Sequence, residues 1–507
     1  RLTWPQAGRG LAQVLRRDLG QRGPDSWQQV MAPAAGLLFT DDLPPGVARE
    51  YQVRIGDDPA QVAVWAAGRD LPTGAAQGHA LMIVDDTLAD DLAAALDLFQ
   101  SDLTGAGWQV TRHRSPRAAD DDPAENLSRA MALRRWITAQ FRADPATPHA
   151  VILIGHLPIV RTGRVNPDGH DPHAVATDLF YADPVGFWLS APGPDGVPQL
   201  IPSRLPADGI AMQIGRIDFA MLSDHFGGEI PLLRAYFDRN HRWRHGMTGD
   251  PRRAYAASEH LMVERNALNN IVGPDAVIAG GHHDTAGGGP YLLGVDFGEW
   301  RGGTYDTLSP SEAVFTINFG SHKHQFDLRD NAMVALLAQD GPLTVGWGGR
   351  PSWQLHGMAL GESIGQAHLR TVNNGRASQG GLETRDYAAT GTYDWLNPPW
   401  VNLLGDPTLR PFPLPPVSDA RAEPGPDGIH LHWTLPQGAE GALILRAERR
   451  DGPYRVMNNG ALAATDYLDP APIPGGWYMI RAGGLTQVHA GSFRRLSQGV
   501  MLSADPR

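Results

Sequence analysis

Two short runs, residues 80–84 and 150–155, are apolar and rich in β-branched side chains. Each closes in a polar turn, Asp85-Asp86 after the first and Gly155-His156 at the end of the second. A strand buried on both faces of a parallel sheet has this pattern. Between the runs, apolar residues recur three or four positions apart. Leu92, Leu96, Phe99 and Leu103 predict a helix over 88–103, and Leu127, Met131, Ala132, Ile137 and Phe141 predict another over 127–141. A third strand, 108–110, follows the helix stop Gly105-Ala106-Gly107. This alternation predicts a doubly wound α/β domain, a mostly parallel sheet with helices on both faces. Chemistry in such sheets lies beyond the carboxyl ends of the strands.

The two ends of the chain carry a different pattern, short alternating strands between Gly/Pro turns, and they repeat one another. Leu2-Thr3-Trp4 matches Leu431-His432-Trp433, and Val14-Leu15-Arg16 matches Ile444-Leu445-Arg446. Phe39-Thr40-Asp41 matches Tyr467-Leu468-Asp469, Pro45-Gly46 matches Pro474-Gly475, and Tyr51–Arg54 matches Tyr478–Arg481. From Trp to Asp the gap is 37 residues in the first copy and 36 in the second, so order and spacing agree together. The pattern predicts two antiparallel sandwiches. The copies resemble fibronectin type III modules in their early core Trp and late Tyr-x-Val/Ile-Arg strand. The first copy lacks an opening strand. A Pro-rich linker, 411–416, precedes the second. The expected domains are 1–76, 77–414 and 415–507.

Further along the central domain, 212–217 predicts a strand and 229–241 an amphipathic helix. Ile154-Gly155, then Thr177-Asp178 with Tyr181-Ala182-Asp183, then Gly215-Arg216-Ile217 and Tyr236-Phe237-Asp238 together resemble the gingipain-type cysteine peptidases. Residues 276–283 resemble the strand that ends at that family's catalytic His, and 314–321 the strand that ends at its catalytic Cys. Residues 343–348 and 352–353 resemble the next strand and its loop, and 402–409 the closing motif. The resemblance covers about 77–414 and implies a caspase-like α/β fold with the His and Cys strands side by side.

Composition changes that picture. The chain of 507 residues contains no Cys, which excludes disulfides, thiolate metal sites and the peptidase nucleophile itself. The Cys position falls between Phe319 and Ser321, His283 is followed by Asp284-Thr285, and His156 stands where the family has Asp. Candidate chemistry at these places is therefore substitute chemistry. Ser321 with His282 or His283 would form a nucleophile–base dyad, or the site is a relic. His322 and His324 with the same histidines offer a metal site, against a solvated loop. Asp168, Asp171, Asp178 and Asp183 can hold calcium as hard oxygen ligands, and the resembling peptidases bind calcium; Asp178 and Asp183 are the named metal candidates. Trp300, Trp347 and Trp353 are binding candidates, with core packing as the alternative.

The formal charge of −12 and the absence of a basic stripe argue against nucleic acid. No apolar run reaches the ~18–20 residues that cross a bilayer. The chain starts at Arg1 rather than Met, as it would after removal of a leader. The expected function is a non-catalytic pseudopeptidase, extracellular, on the cell surface or periplasmic, that binds a protein or surface polymer. The alternative is a hydrolase using Ser321 with His282 or His283, or a histidine-bound metal, at the same strand ends, and self-assembly through sandwich edge strands is a third reading.

Overall fold

The structure, a computed structural model, describes residues 1–4, 10–21, 26–36, 38–56, 62–165, 167, 173–193, 196–204, 209–256, 262–279, 289–296, 311–348, 351–373 and 399–505. The first module contributes β1 (Leu2–Thr3), β2 (Ala12–Asp18), β3 (Gln28–Ala34), β4 (Leu38–Phe39), β5 (Ala48–Ile55) and β6 (Val62–Leu71). The central part contains β7 (Gly78–Asp85), α1 (Ala93–Gly105), β8 (Trp108–Ser115), α2 (Pro123–Ala143) and β9 (His149–Ile154). Next come β10 (Arg161–Val165), β11 (His173–Ala176), α3 (Leu179–Ala182), β12 (Phe187–Pro192), β13 (Pro198–Arg204), β14 (Gln213–Ile217) and α4 (Glu229–Arg244). It continues with β15 (Ala254–Ala256), α5 (Met262–Val272), β16 (Val277–Ala279), β17 (Tyr291–Asp296), β18 (Ala313–Asn318) and α6 (Ala332–Leu337). It closes with β19 (Thr344–Trp347), α7 (Ile364–Asn373) and β20 (Leu403–Gly405). The last module has β21 (Ser418–Gly425), β22 (Gly428–Thr434), β23 (Gly441–Ala447), β24 (Arg455–Val456), β25 (Asp466–Asp469), β26 (Trp477–Val488), β27 (Gly491–Leu496) and β28 (Val500–Ser503).

The central sheet has the order β16-β15-β17-β18-β19-β20-β14-β9-β7-β8. The run β16 to β19 is parallel, as is the run β14-β9-β7-β8; β20 lies between them, antiparallel to β19. Residues 80–84 and 150–154 are buried throughout, as apolar runs on both faces require. The connection from β7 to β8 crosses the sheet one way and that from β8 to β9 the other. Right-handed crossovers therefore put α1 and α2 on opposite faces. Helix α2 starts at Pro123 because Asp122 caps it, accepting from the N–H groups of Ala124 and Glu125 at 3.1 and 3.0 Å. Helix α1 starts at Ala93, not at residue 88. Leu88, Ala89 and Leu92 are buried from a run of turns, so the apolar spacing there reports burial and not helix.

One expectation fails. Residues 277–279 and 315–318 do share a sheet, but β15 and β17 separate them. The strand beside β18 is β17. Short apolar runs do not encode their order across a sheet, and the resemblance assigned the neighbour from sequence alone.

The terminal modules match the repeat closely. The last one stacks β21-β22-β25 on β24-β23-β26 around Leu431, Trp433, Ile444, Tyr478 and Ile480. The first pairs β1 with β4 and stacks them on β3-β2-β5-β6 around Trp4, Val14, Tyr51 and Val53. Among the described residues nothing corresponds to β21. Repeated residues form the same polar node twice. Arg16 Nη1 and Tyr51 Oη donate to Asp41 Oδ2 at 2.9 and 2.7 Å; Arg446 Nη1 and Tyr478 Oη donate to Asp469 Oδ2 at 2.7 and 2.6 Å. Burial alone would raise both carboxyl pKa values, but these donors hold them below the usual range.

The two modules also meet. Strand β27 pairs parallel with β6, Gly491 opposite Gly68, and fuses the larger sheets of both sandwiches into one of nine strands. A Cβ at either end of this pairing is awkward: Gly491 has φ +127° and a side chain there would strike the Gly68 carbonyl. These two edges are consumed within the chain, so the edge-strand assembly expected from sequence cannot use them.

Glu50 ties the first module to the central domain. It is fully buried on β5, accepts from His356 Nε2 at 2.9 Å, and pairs with Arg370 at 3.2 Å and with Arg17. Burial pushes its pKa up, but His356 and the two guanidinium groups bring it down to about 2. Replacing Glu50 with Gln leaves two buried cations short of a counter-charge, and the expected loss is ~3–5 kcal/mol in urea denaturation. The folded pKa is depressed, so this stability is present above about pH 4.5 and fades as pH falls toward 2. The gap between wild type and variant narrows over that window.

Candidate functional site

Loops that follow β9, β14 and β18 meet at one edge of the central sheet. Arg161 pairs with Asp327 at 2.7 Å, the Asp330 N–H donates to the Met221 carbonyl at 3.0 Å, and the Ser223 N–H donates to Asp330 Oδ1 at 2.6 Å. This edge is where an α/β sheet presents its chemistry.

At the β18 end the strand runs into packed side chains. Phe319 is buried with its ring centroid 5.3 Å from that of Trp347. Trp347 Nε1 donates to the Gly320 carbonyl at 2.9 Å, and Trp353 Nε1 donates to the Trp347 carbonyl at 2.7 Å. Both tryptophans are 1% exposed or less, so the expectation that they bind a ligand is corrected: they are core. Their indole N–H groups have carbonyl partners, as buried tryptophans need. Lys323 is also buried and donates to Asn318 Oδ1 at 2.9 Å; a Cβ on Gly320 would lie 2.7 Å from its Cε. Ser321 is half-buried, and among the described residues no imidazole hydrogen-bonds it. His324 Nε2 lies 3.1 Å from His173 Nε2. His282, His283, Asp284 and Trp300 lie outside the described residues, as do Asp168 and Asp171.

The calcium candidates Asp178 and Asp183 both meet donors of the fold. Asp178 meets Arg216 through Nη2 at 2.7 Å and Nε at 3.0 Å, both residues being almost fully buried. Asp183 accepts from the Gly186 N–H at 2.7 Å and from Trp188 Nε1 at 2.8 Å. Each carboxylate is spent on donors of the fold. Among the described residues, the one group with metal-ligand geometry lies at the other edge of the sheet: Asp102, His241 and His245.

His156 is the residue whose partners the sequence did not reveal. It follows β9, with Nδ1 2.8 Å from Asp218 Oδ2 and Nε2 3.0 Å from Asp120 Oδ2. Asp218 also lies 3.7 Å from Arg216. The His156 N–H donates to Asp85, which takes Arg117 at 2.7 Å, and Arg117 reaches Glu229 at 2.9 Å. Burial lowers the His156 pKa, but the two carboxylates override it and raise it to about 9. The ring is thus an imidazolium at neutral pH, engaged on both nitrogens and unable to accept a proton. It borders a pocket of about 220 Å³ whose lining includes Asn126, Arg161 and Asp327 but no Ser, Thr, Tyr or Lys. Among the described residues no hydroxyl, thiol or amine nucleophile lines it.

A larger cleft, about 940 Å³, opens between the first sandwich, α5 and the β26–β27 hairpin. Aromatic residues (Phe39, Tyr51, Trp65) and polar ones (Arg69, Arg265, Asn266, Asn269, His489) line it. Helix α5 is fixed there by Asn270, whose amide bonds both the N–H and the carbonyl of Ala66 at 2.9 and 3.0 Å.

No protein-family model matches the chain, and no curated protein is found to match it. Among solved structures, an Fn3-like protein from Clostridium thermocellum is similar at 18% identity, over 18% of this chain and 93% of that one, with a TM-score of 0.15. Likeness at that level carries no argument about this chain.

His156 gives a pH prediction. Its folded pKa is raised from 6.5 to about 9, so its stabilisation is complete below about pH 6.5 and disappears as pH rises through about 9. Urea denaturation of wild type and His156→Gln should differ by roughly 3 kcal/mol at pH 6 and converge near pH 9.5. A gap that is constant across this range contradicts the ion-paired assignment.

Proposed function

We propose that the chain is a non-catalytic binding protein, a degenerate caspase-like framework of the gingipain type carried between two fibronectin type III-like modules and exported to the cell surface. The observation that carries this reading is the closed end of β18. Phe319, Trp347 and Lys323 occupy the place a nucleophile would need, in a chain with no Cys. The segment that resembles the family's His strand, β16, is separated from β18 by β15 and β17, so the two strands expected to carry the dyad are not neighbours. The second strand-end cluster supports the same conclusion, because both ring nitrogens of His156 are held by carboxylates and, among the described residues, no hydroxyl lines its pocket.

Binding falls to the cleft between the modules. Its aromatic rings and its amide and guanidinium groups suit an extended polar polymer, a peptide segment or a surface glycan, and the fused sheets hold its walls rigid. A broad peptide library and a serine-reactive phosphonate probe test the first half: neither turnover nor labelling is expected. Hydrolysis that disappears in Ser321→Ala contradicts the proposal. Retention on arrays of peptides and cell-surface glycans tests the second half. The double variant Trp65→Ala with Arg265→Glu should lose about tenfold or more in affinity, and unchanged retention contradicts the choice of cleft.

A further inference from the structure

Helices α1 and α4 pack side by side and run the same way. Arg234 reaches the Asp91 carbonyl at 2.7 Å near their N-terminal ends, the Phe99 and Phe237 rings meet at 5.0 Å midway, and Asp102 meets His241 near their C-terminal ends. His241 and His245 lie four residues apart, the last on the residue that closes α4, so they share one helix face. His241 Nδ1 is 2.9 Å from Asp102 Oδ2, and His245 Nε2 is 2.9 Å from Asp102 Oδ1. The ring centroids are 4.0 Å apart.

We propose that Asp102, His241 and His245 form a binding site for Zn²⁺ or a divalent cation of the same borderline class. Two imidazoles and a carboxylate are a common donor set for such ions, with Zn–N and Zn–O bonds of about 2.0–2.2 Å. Two donors on a tetrahedral ion are then about 3.3 Å apart. The two His–Asp separations, 2.9 Å each, fall a few tenths of an ångström short of that, and one donor atom from each of the three residues lies within 4.8 Å of the others. Small side-chain rotations admit the ion, with each imidazole moving its proton to its other ring nitrogen. An all-oxygen ion such as Ca²⁺ does not fit two nitrogens.

The surroundings favour a cation. The site lies at the C-terminal ends of two parallel helices, where both macrodipoles are negative. The nearby guanidinium groups are occupied elsewhere, Arg242 with Asp238 at 3.0 Å and Arg244 with Asn240, Asp406 and Thr408. Asp102 is buried and therefore fixed, whereas the histidine side chains are 22% and 19% exposed. Solvent thus reaches the ion and supplies the remaining ligand. The site is at the opposite edge of the sheet from His156 and does not depend on the functional reading above. Its effect is to cross-link α1 to α4.

Calorimetric titration of the metal-stripped full-length protein with ZnCl₂ tests the proposal. One equivalent should bind at low micromolar concentration or tighter, and Co²⁺ should give the intense visible bands of a four- or five-coordinate nitrogen–oxygen site. The chain has 19 histidines, so the variants decide. His241→Ala and His245→Ala should each lose at least tenfold in affinity and lose the rise in melting temperature that Zn²⁺ gives wild type. His245→Gln keeps an N–H donor for Asp102 while removing the ligand, and it should fold and fail to bind. No stoichiometric binding by wild type, or binding undiminished in His245→Gln, overturns the site.

Discussion

Arg216 has almost no access to water, and a guanidinium so placed demands a carboxylate. Asp178 answers it directly. Asp218, close by, takes part of the same charge and passes its other interaction to His156, which ends on Asp120. The carboxyl ends of β9 and β14, where an α/β sheet ordinarily keeps free acids and bases, are thus a closed chain of alternating charges. Within it the neighbours raise the pKa values of Arg216 and His156 and lower that of Asp218. Such a chain orders loops well and does chemistry poorly, because a group that must remain ionised cannot exchange protons with a substrate. At the β18 end apolar rings and a buried lysine stem pack together instead.

The scaffold around this edge is continuous. The first and last modules share a nine-stranded sheet, and the first is bound to the central domain through a carboxylate surrounded by three cationic or donor groups. Repetition explains how two similar modules can serve one architecture. The Arg–Asp–Tyr node that anchors the strand preceding each Pro-Gly turn is the same in both. Their outer edges differ: β22 has β21 beside it, whereas β1 pairs with β4 and has no counterpart of β21 among the described residues.

Sequence made local features legible and left distant ones hidden. The runs that became β7 and β9 were plain because burial on both faces forces apolar residues at every position. The module repeat was plain because a polar node needs its Arg, Asp and Tyr at fixed spacings. The start of α1 was not, since buried turns at Leu88 and Leu92 imitate helical periodicity. Strand order is hidden as well: nothing in the runs 277–279 and 315–318 shows that β15 and β17 lie between them. The charge chain has the same character: Asp120 and Asp218 are 36 and 62 residues from His156, and nothing in their surroundings in the sequence marks them as partners. The acid that joins His241 and His245 is 139 residues from His241, again with nothing local to mark it.

The claim that the β18 end is closed to chemistry can be tested by putting back the missing atom. Ser321→Cys is nearly isosteric and supplies the only thiol in the chain. If the account is right, the variant folds as wild type does and hydrolyses no peptide at any neutral pH. Turnover of peptides by Ser321→Cys, abolished by thiol alkylation, would contradict it.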